Sequence, residues 1–301
     1  METLNTRFMN YIKQVIGLSK SSTYITENNV YQEGAADILP FLDKMVDELV
    51  LPGSGVDGME NLEYLFKEAE SGKSCLLFPE HYSNMDLSLI SRLVSKQGER
   101  GQAIAKSIIA IAGMKLNEEN PVVSAFASAY TRLVIYPSRS LQGLDPAKDK
   151  AEIVRSNAIN RAALKILMDI KVKGKLILVF PSGTRFRSWD PNSKRGVREI
   201  DSYIKSFDYM CPIAINGEVL HVRQGDMMED SVSQDVVRIT AGQVISCAEF
   251  RDKIRHHYDE HNAGIDAGAE DKKQAVADAV MAILEDMHIR AEAKRQAMLK
   301  K

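Results

Sequence analysis

The stretch Leu176-Ile-Leu-Val-Phe180-Pro-Ser-Gly-Thr-Arg185-Phe-Arg187 sets the reading of the whole chain. It opens on an unbroken apolar run and stops at Pro181. A short run that is apolar on both faces is the pattern of a strand buried on both sides. Proline cannot donate to a sheet ladder, so it ends such a strand naturally. Two other runs stop in the same way: Cys75-Leu-Leu-Phe78 at Pro79, and Leu133-Val-Ile-Tyr136 at Pro137. Ala103-Ile-Ala105 and Pro212-Ile-Ala-Ile215 are read as further strands. Amphipathic segments near 84–97, 121–129, 147–172 and 195–207 separate them. Alternation of this kind predicts an α/β fold, a mostly parallel mixed sheet flanked by helices. Val236-Val-Arg-Ile-Thr240 and Gln243-Val-Ile245 are expected as later strands, forming an antiparallel edge.

Outside this region the texture is helical. Ile38, Phe41, Leu42, Met45 and Leu49 recur at helical spacing, Leu51-Pro-Gly-Ser-Gly55 breaks the pattern, and a short helix follows from Gly58 to Glu70. No β-type run is legible there. Residues 1–70 are therefore expected to form a small N-terminal helical domain, with 71–301 as the α/β domain. The segment 248–301 reads as a charged helical tail ending in the basic stretch Lys294-Arg295-Gln-Ala-Met-Leu-Lys-Lys301.

Composition excludes several classes. The chain has 301 residues, 45% hydrophobic and 27% charged, which suits a well-filled core. Lys plus Arg is 39 against 41 for Asp plus Glu, so an overall basic surface for nucleic acid is not expected. Three widely spaced cysteines, Cys75, Cys211 and Cys247, make neither a disulfide framework nor a zinc knuckle. They fit a reducing compartment and core packing. Neither a signal peptide nor a membrane-spanning run is read, so a cytoplasmic location is expected. The basic C-terminus would allow peripheral contact with anionic lipid.

The strand ends carry the chemistry. In a parallel sheet all ends of one polarity share one edge, where ligands bind. His81 lies just past the first proline stop, Arg139 past the second, and Arg185 and Arg187 past the third. Ser83 is expected to cap the following helix and to place Asp86 in its first turn, where a carboxylate can orient His81. Gly183 permits a tight turn, and Arg185 and Arg187, alternating around Phe186, face one way in an extended segment. Two parallel guanidinium forks suit a phosphate, with Arg139 joining from the neighbouring strand. His257 and His261 share a helical face, as some zinc ligands do, but a solvated helix side is the better reading and no metal is assigned.

These blocks resemble the His-x4-Asp acyltransferases of glycerolipid synthesis: His81-Tyr-Ser-Asn-Met-Asp86, Phe180-Pro-Ser-Gly-Thr-Arg185 and Cys211-Pro-Ile-Ala-Ile215 stand in that family's order. Within it the chain is most similar to the soluble, plastid-type glycerol-3-phosphate acyltransferases, over residues 60–220. It departs from the family at Glu80, where Asn is usual, and at Ser182, where the lysophosphatidate-acylating branch has Glu. Only Arg139 is basic in a segment where the plastid-type enzymes carry several basic residues.

The resemblance implies transfer of a fatty acyl group from acyl-CoA or acyl carrier protein to the sn-1 hydroxyl of glycerol 3-phosphate. His81 would be the base and Asp86 its orienting partner. Arg139, Ser182, Gly183, Thr184, Arg185 and Arg187 would hold the acceptor. No cofactor beyond the acyl donor is implied. Oxyanion donors are sought at the helix start or the Gly183 turn. Met85, Leu87, Leu89, Ile108, Ile109 and Met114 are the candidate acyl groove. The rival readings are acylation of 1-acylglycerol 3-phosphate and a non-enzymatic lipid- or phosphate-binding protein.

Overall fold

A computed structural model describes residues 2–19, 24–118, 121–141, 144–225, 227–262 and 268–300. The first third of the chain holds β1 (Glu2–Thr3), α1 (Leu4–Leu18), β2 (Tyr31–Gln32), α2 (Leu39–Leu49), β3 (Gly55–Asp57) and α3 (Met59–Glu70). Then come β4 (Cys75–Pro79), α4 (Asp86–Ser95), α5 (Gly98–Ser107), β5 (Ile108–Gly113), α6 (Lys115–Glu118), α7 (Pro121–Ala127), β6 (Arg132–Ile135) and α8 (Ser138–Leu141). The remainder is α9 (Lys150–Ile170), β7 (Leu176–Leu178), α10 (Ile200–Ser206), β8 (Tyr209–Asn216), β9 (Leu220–His221), β10 (Ser231–Val232), β11 (Arg238–Ala241), β12 (Ile245–Ser246), α11 (Cys247–His261) and α12 (Ala269–Leu299).

The main sheet has the order β2-β6-β5-β7-β4-β8-β11-β3, with β12 also paired to β8. Its centre is parallel: β6 with β5, β5 with β7, β7 with β4 and β4 with β8. β2 runs antiparallel to β6, β11 and β12 run antiparallel to β8, and β3 is parallel to β11. The fold is thus α/β with a mostly parallel mixed sheet between helices. β1, β9 and β10 form a small separate antiparallel sheet.

Strand alternation divides the interior into two layers. Cys75 and Leu77 share a core with apolar residues of α1 to α5, while Leu76 and Phe78 share the other with residues of α9, α10 and α12. Both faces of β4 are apolar because both are covered, as its sequence requires.

Several expectations are corrected. Ala103-Ile-Ala105 lies inside α5, and the strand is the following run, Ile108–Gly113. The β-branched and apolar residues 108–111 face both layers, whereas Ile104 alone is buried in the helical stretch 103–105. The N-terminal region contains strands β1, β2 and β3, each too short to show alternation in sequence. The boundary near residue 70 falls between α3 and β4, yet Leu4, Phe8, Leu42 and Leu65 share a core with Cys75 and Leu77 across it. β11 is no edge, since β3 covers it. Of the tail, residues 263–267 and Lys301 lie outside the described residues.

Candidate active site

Three proline-stopped strands, β4, β6 and β7, run parallel and end on one edge of the sheet. Their order matters: β4 and β7 are adjacent, but β5 stands between β7 and β6. The loops carrying His81 and Arg185 are therefore neighbours, while Arg139 starts two strands from the Arg185 loop, roughly 10 Å away at ordinary strand spacing. Arg139 does not come from the neighbouring strand as expected.

His81 follows β4 directly. Its Nδ1 lies 2.9 Å from Oδ2 of Asp86. Asp86 is buried, at the first residue of α4 and so in its first turn. Its Oδ2 also accepts from the amides of Tyr82 at 2.6 Å and Ser83 at 2.9 Å, and Oδ1 accepts from the Ser83 hydroxyl at 2.9 Å. Ser83 in turn accepts from the Met85 amide at 3.1 Å. The helix entry is thus folded around the carboxylate itself. A buried carboxylate with this many donors stays where it is put. With Nδ1–H directed at Asp86, Nε2 of His81 carries the lone pair, and it has no hydrogen-bond partner among the described residues. The imidazole stacks on Phe180, ring centroids 3.9 Å apart at 19°.

The loop after β7 is locked to that histidine. The amide of Phe186 donates to the carbonyl of His81 at 2.7 Å, and the Phe186 ring meets Tyr82 edge-on. Arg185 and Arg187 flank this contact. Arg185 is half-buried, and desolvation lowers its pKa; Asp230 opposes the shift and Arg187 adds to it. Its Nη1 has no hydrogen-bond partner among the described residues; it is ion-paired with Asp230, whose Oδ2 stands 3.6 Å away, beyond hydrogen-bond reach. A half-buried guanidinium, ion-paired with Asp230 but with an N–H that no acceptor among the described residues takes up, is able to receive an anionic ligand.

The turn between them is built from its own residues. Gly183 has φ +64°, and a Cβ there would lie 3.0 Å from Val197 Cγ1. Its amide donates to Phe180 O at 2.9 Å, and the Ser182 hydroxyl donates to Thr184 O at 2.6 Å. Ser182 is thereby committed to the turn. The Gly183 amide, like those of Tyr82 and Ser83, is excluded as an oxyanion donor. The amides of Thr184 and Arg185 have no acceptor among the described residues.

A cavity of about 420 Å³ opens beside His81 and is mostly apolar. Leu133, Ile135, Leu167 and Ile200 line it, together with Leu164, Arg139, Gly183 and His81. Arg185 and Arg187 are not among its lining residues. A smaller cavity of about 100 Å³, containing Leu87, Ser88 and Arg132, also reaches His81. Of the expected groove, Met85, Leu89, Ile108, Ile109 and Met114 are core residues, and only Leu87 meets a cavity.

Three residues at this site were not legible as functional. Glu80 is buried, accepts from the Ile215 amide at 2.8 Å and the Tyr82 hydroxyl at 2.8 Å, and pairs with His288 of α12 at 2.9 Å. Asp230 faces Arg185 from beyond β9. His288 stands 208 positions from Glu80, so no local pattern joins them.

The remaining candidates lie elsewhere. Cys75, Cys211 and Cys247 are buried free thiols, and burial pushes Cys75 and Cys211 up to about 12. His257, Glu260 and His261 gather their donor atoms within 4.8 Å on α11, all exposed and all from one helix turn. Arg295 of the basic tail is buried and donates to Val236 O at 2.6 Å, with Asp235 and Glu292 as ion partners, so it does not face solvent. Among the described residues no helix is long and apolar enough to cross a membrane.

Compared with protein-family models the chain matches none, and a search of curated proteins finds no match.

Proposed function

We propose that the protein is an acyltransferase that moves a fatty acyl group from a thioester to the sn-1 hydroxyl of glycerol 3-phosphate. The observation that carries this reading is one backbone hydrogen bond, Phe186 N to His81 O. It sets a carboxylate-oriented imidazole beside two arginines. A small anionic alcohol bound by Arg185 and Arg187 would present its hydroxyl to Nε2 of His81.

The step balances without a cofactor. Nε2 takes the hydroxyl proton as the oxygen bonds to the thioester carbonyl carbon. The amides of Thr184 and Arg185 are the candidate donors to the oxyanion. The carbon–sulfur bond then breaks, and the thiolate leaves with the proton returned from His81. Asp86 holds the tautomer and stabilises the imidazolium. The acyl chain takes the cavity of about 420 Å³, within the roughly 300–1,000 Å³ of small-molecule sites.

A thiol-release assay tests the reading: acyl-CoA and acyl carrier protein thioesters, each against glycerol 3-phosphate and 1-acylglycerol 3-phosphate. Turnover with glycerol 3-phosphate is expected. Turnover with the lysophospholipid alone would move the acceptor assignment. No thiol release with either acceptor would leave a binding protein.

A further inference from the structure

Helix α9 covers one face of the sheet with Ser156, Ile159, Ala163 and Leu167. Its opposite side is unusual for a solvated surface. Val154 and Leu164 are each 58% exposed, Met168 49%, and Val172, in the turn that follows, 46%. Val154, Leu164 and Met168 fall within about 80° of one another around the helix, at 100° per residue. Arg161 lies within the same sector and Lys165 about 20° outside its edge, at 100° per residue; both are exposed and without an acidic partner among the described residues. Leu164 and Met168 stand one turn apart with Val172 just past the helix end, and Val154 lies about 15 Å from Leu164 along the axis at 1.5 Å per residue. Apolar side chains of this number, spaced along one exposed face, indicate a binding surface rather than chance exposure.

We infer that the outer face of α9 is a docking surface for an anionic phospholipid bilayer, with the mouth of the apolar cavity held against the lipid. Large apolar side chains mixed with basic ones are the composition of a helix lying in the membrane interface. Leu164 joins the two features: it is exposed on the stripe and also lines the cavity that reaches His81. Arg139, also exposed, stands at the same cavity and adds a further cation. A second copy of the chain is a poorer occupant, because a twofold contact across this face would oppose Arg161 and Lys165 with their own images. An acidic protein would satisfy the cations but not a convex apolar stripe. The C-terminal tail, where basic residues first suggested lipid contact, is weaker because Arg295 is committed internally. The surface argument stands on α9 alone; what the cavity exchanges with the lipid rests on the acyl-transfer reading.

Vesicle co-sedimentation of the full chain tests it. Phosphatidylcholine vesicles are compared with vesicles containing phosphatidylglycerol, using wild type, Met168→Glu/Val172→Glu and Arg161→Glu/Lys165→Glu. Neither pair of residues lines the cavity. Wild type should bind the anionic vesicles, more weakly at high salt, and each double variant should bind at least about tenfold less. Thermal unfolding of each variant verifies that it folds, and the two variants act through different chemistry. Absence of wild-type binding, or unchanged binding by both folded variants, overturns the inference. So does a wild-type dimer in sedimentation velocity that Met168→Glu/Val172→Glu dissociates. Release of thiol from a short, water-soluble thioester should be unaltered in Met168→Glu/Val172→Glu. If wild type binds vesicles but releases no thiol with any acceptor, the enzymatic reading fails and the docking surface stands.

Discussion

The amide of Phe186 donates to the carbonyl of His81 at 2.7 Å. Two loops that leave adjacent parallel strands are thereby fixed to each other at the backbone. A side-chain contact would be lost with one substitution, but this one survives change at either position. The arginines on each side of Phe186 inherit their distance from the imidazole from this bond.

On the proposed acyl transfer, removal of His81 would separate base chemistry from binding. His81→Ala should lower turnover by about 10²–10⁴, the usual worth of a positioned base, and leave acceptor affinity nearly unchanged. Steady-state thiol release together with calorimetric titration of glycerol 3-phosphate measures both. Near-normal turnover removes His81 from the mechanism.

Asp86 has a second role that His81 lacks. Its carboxylate accepts from two backbone amides and a hydroxyl in a buried site, so Asp86→Ala should destabilise the fold by about 1–3 kcal/mol through unsatisfied donors. Asp86→Asn keeps one acceptor oxygen and should cost less stability while still losing most turnover. Thermal unfolding of both variants, set against their rates, tests this. Equal stability of Asp86→Ala and wild type would contradict the hydrogen-bond arrangement.

Arg185→Gln should raise the glycerol-3-phosphate KM by about ten- to a hundredfold, since a hydrogen bond to a charged group contributes about 1.5–3 kcal/mol. kcat should change less. Saturation curves in each substrate decide the matter: an effect confined to the thioester would place the guanidinium on the donor instead.

His288 ties α12 to the loop that carries His81. Donation to Glu80 raises its pKa, burial and Lys194 oppose this, and Glu285 reinforces it. A folded value above the unfolded 6.5 means the pair's stabilisation is complete below that pH and fades as pH rises through the folded value. Melting temperature should therefore decline from about pH 6 toward pH 9 by more in wild type than in His288→Gln. Parallel pH profiles would show that the imidazole does not titrate against Glu80.

The strands that end in proline were legible because burial on both faces leaves an unbroken apolar run, and the missing N–H of proline marks its stop. Ala103-Ile-Ala105 misled for a related reason: three small apolar residues fit either period, and only the packing of α5 against α4 chose the helix. Strands β1, β2 and β3 were beyond reach, since a pair of two or three residues is set by its partner and not by its own pattern.

The α/β class and the pairing of His81 with Asp86 were readable from the chain alone, because alternating apolar runs and a helix entry five residues long are local patterns. The shared edge of the strand ends followed only from expecting those strands to pair in parallel, as they do. Tertiary structure alone decided the strand order that puts Arg185 beside His81 and Arg139 farther off. It also decided the cavity under α9 and the Glu80–His288 link. These depend on which distant segments pack together, and hydrophobic pattern states that a face is buried without stating against what.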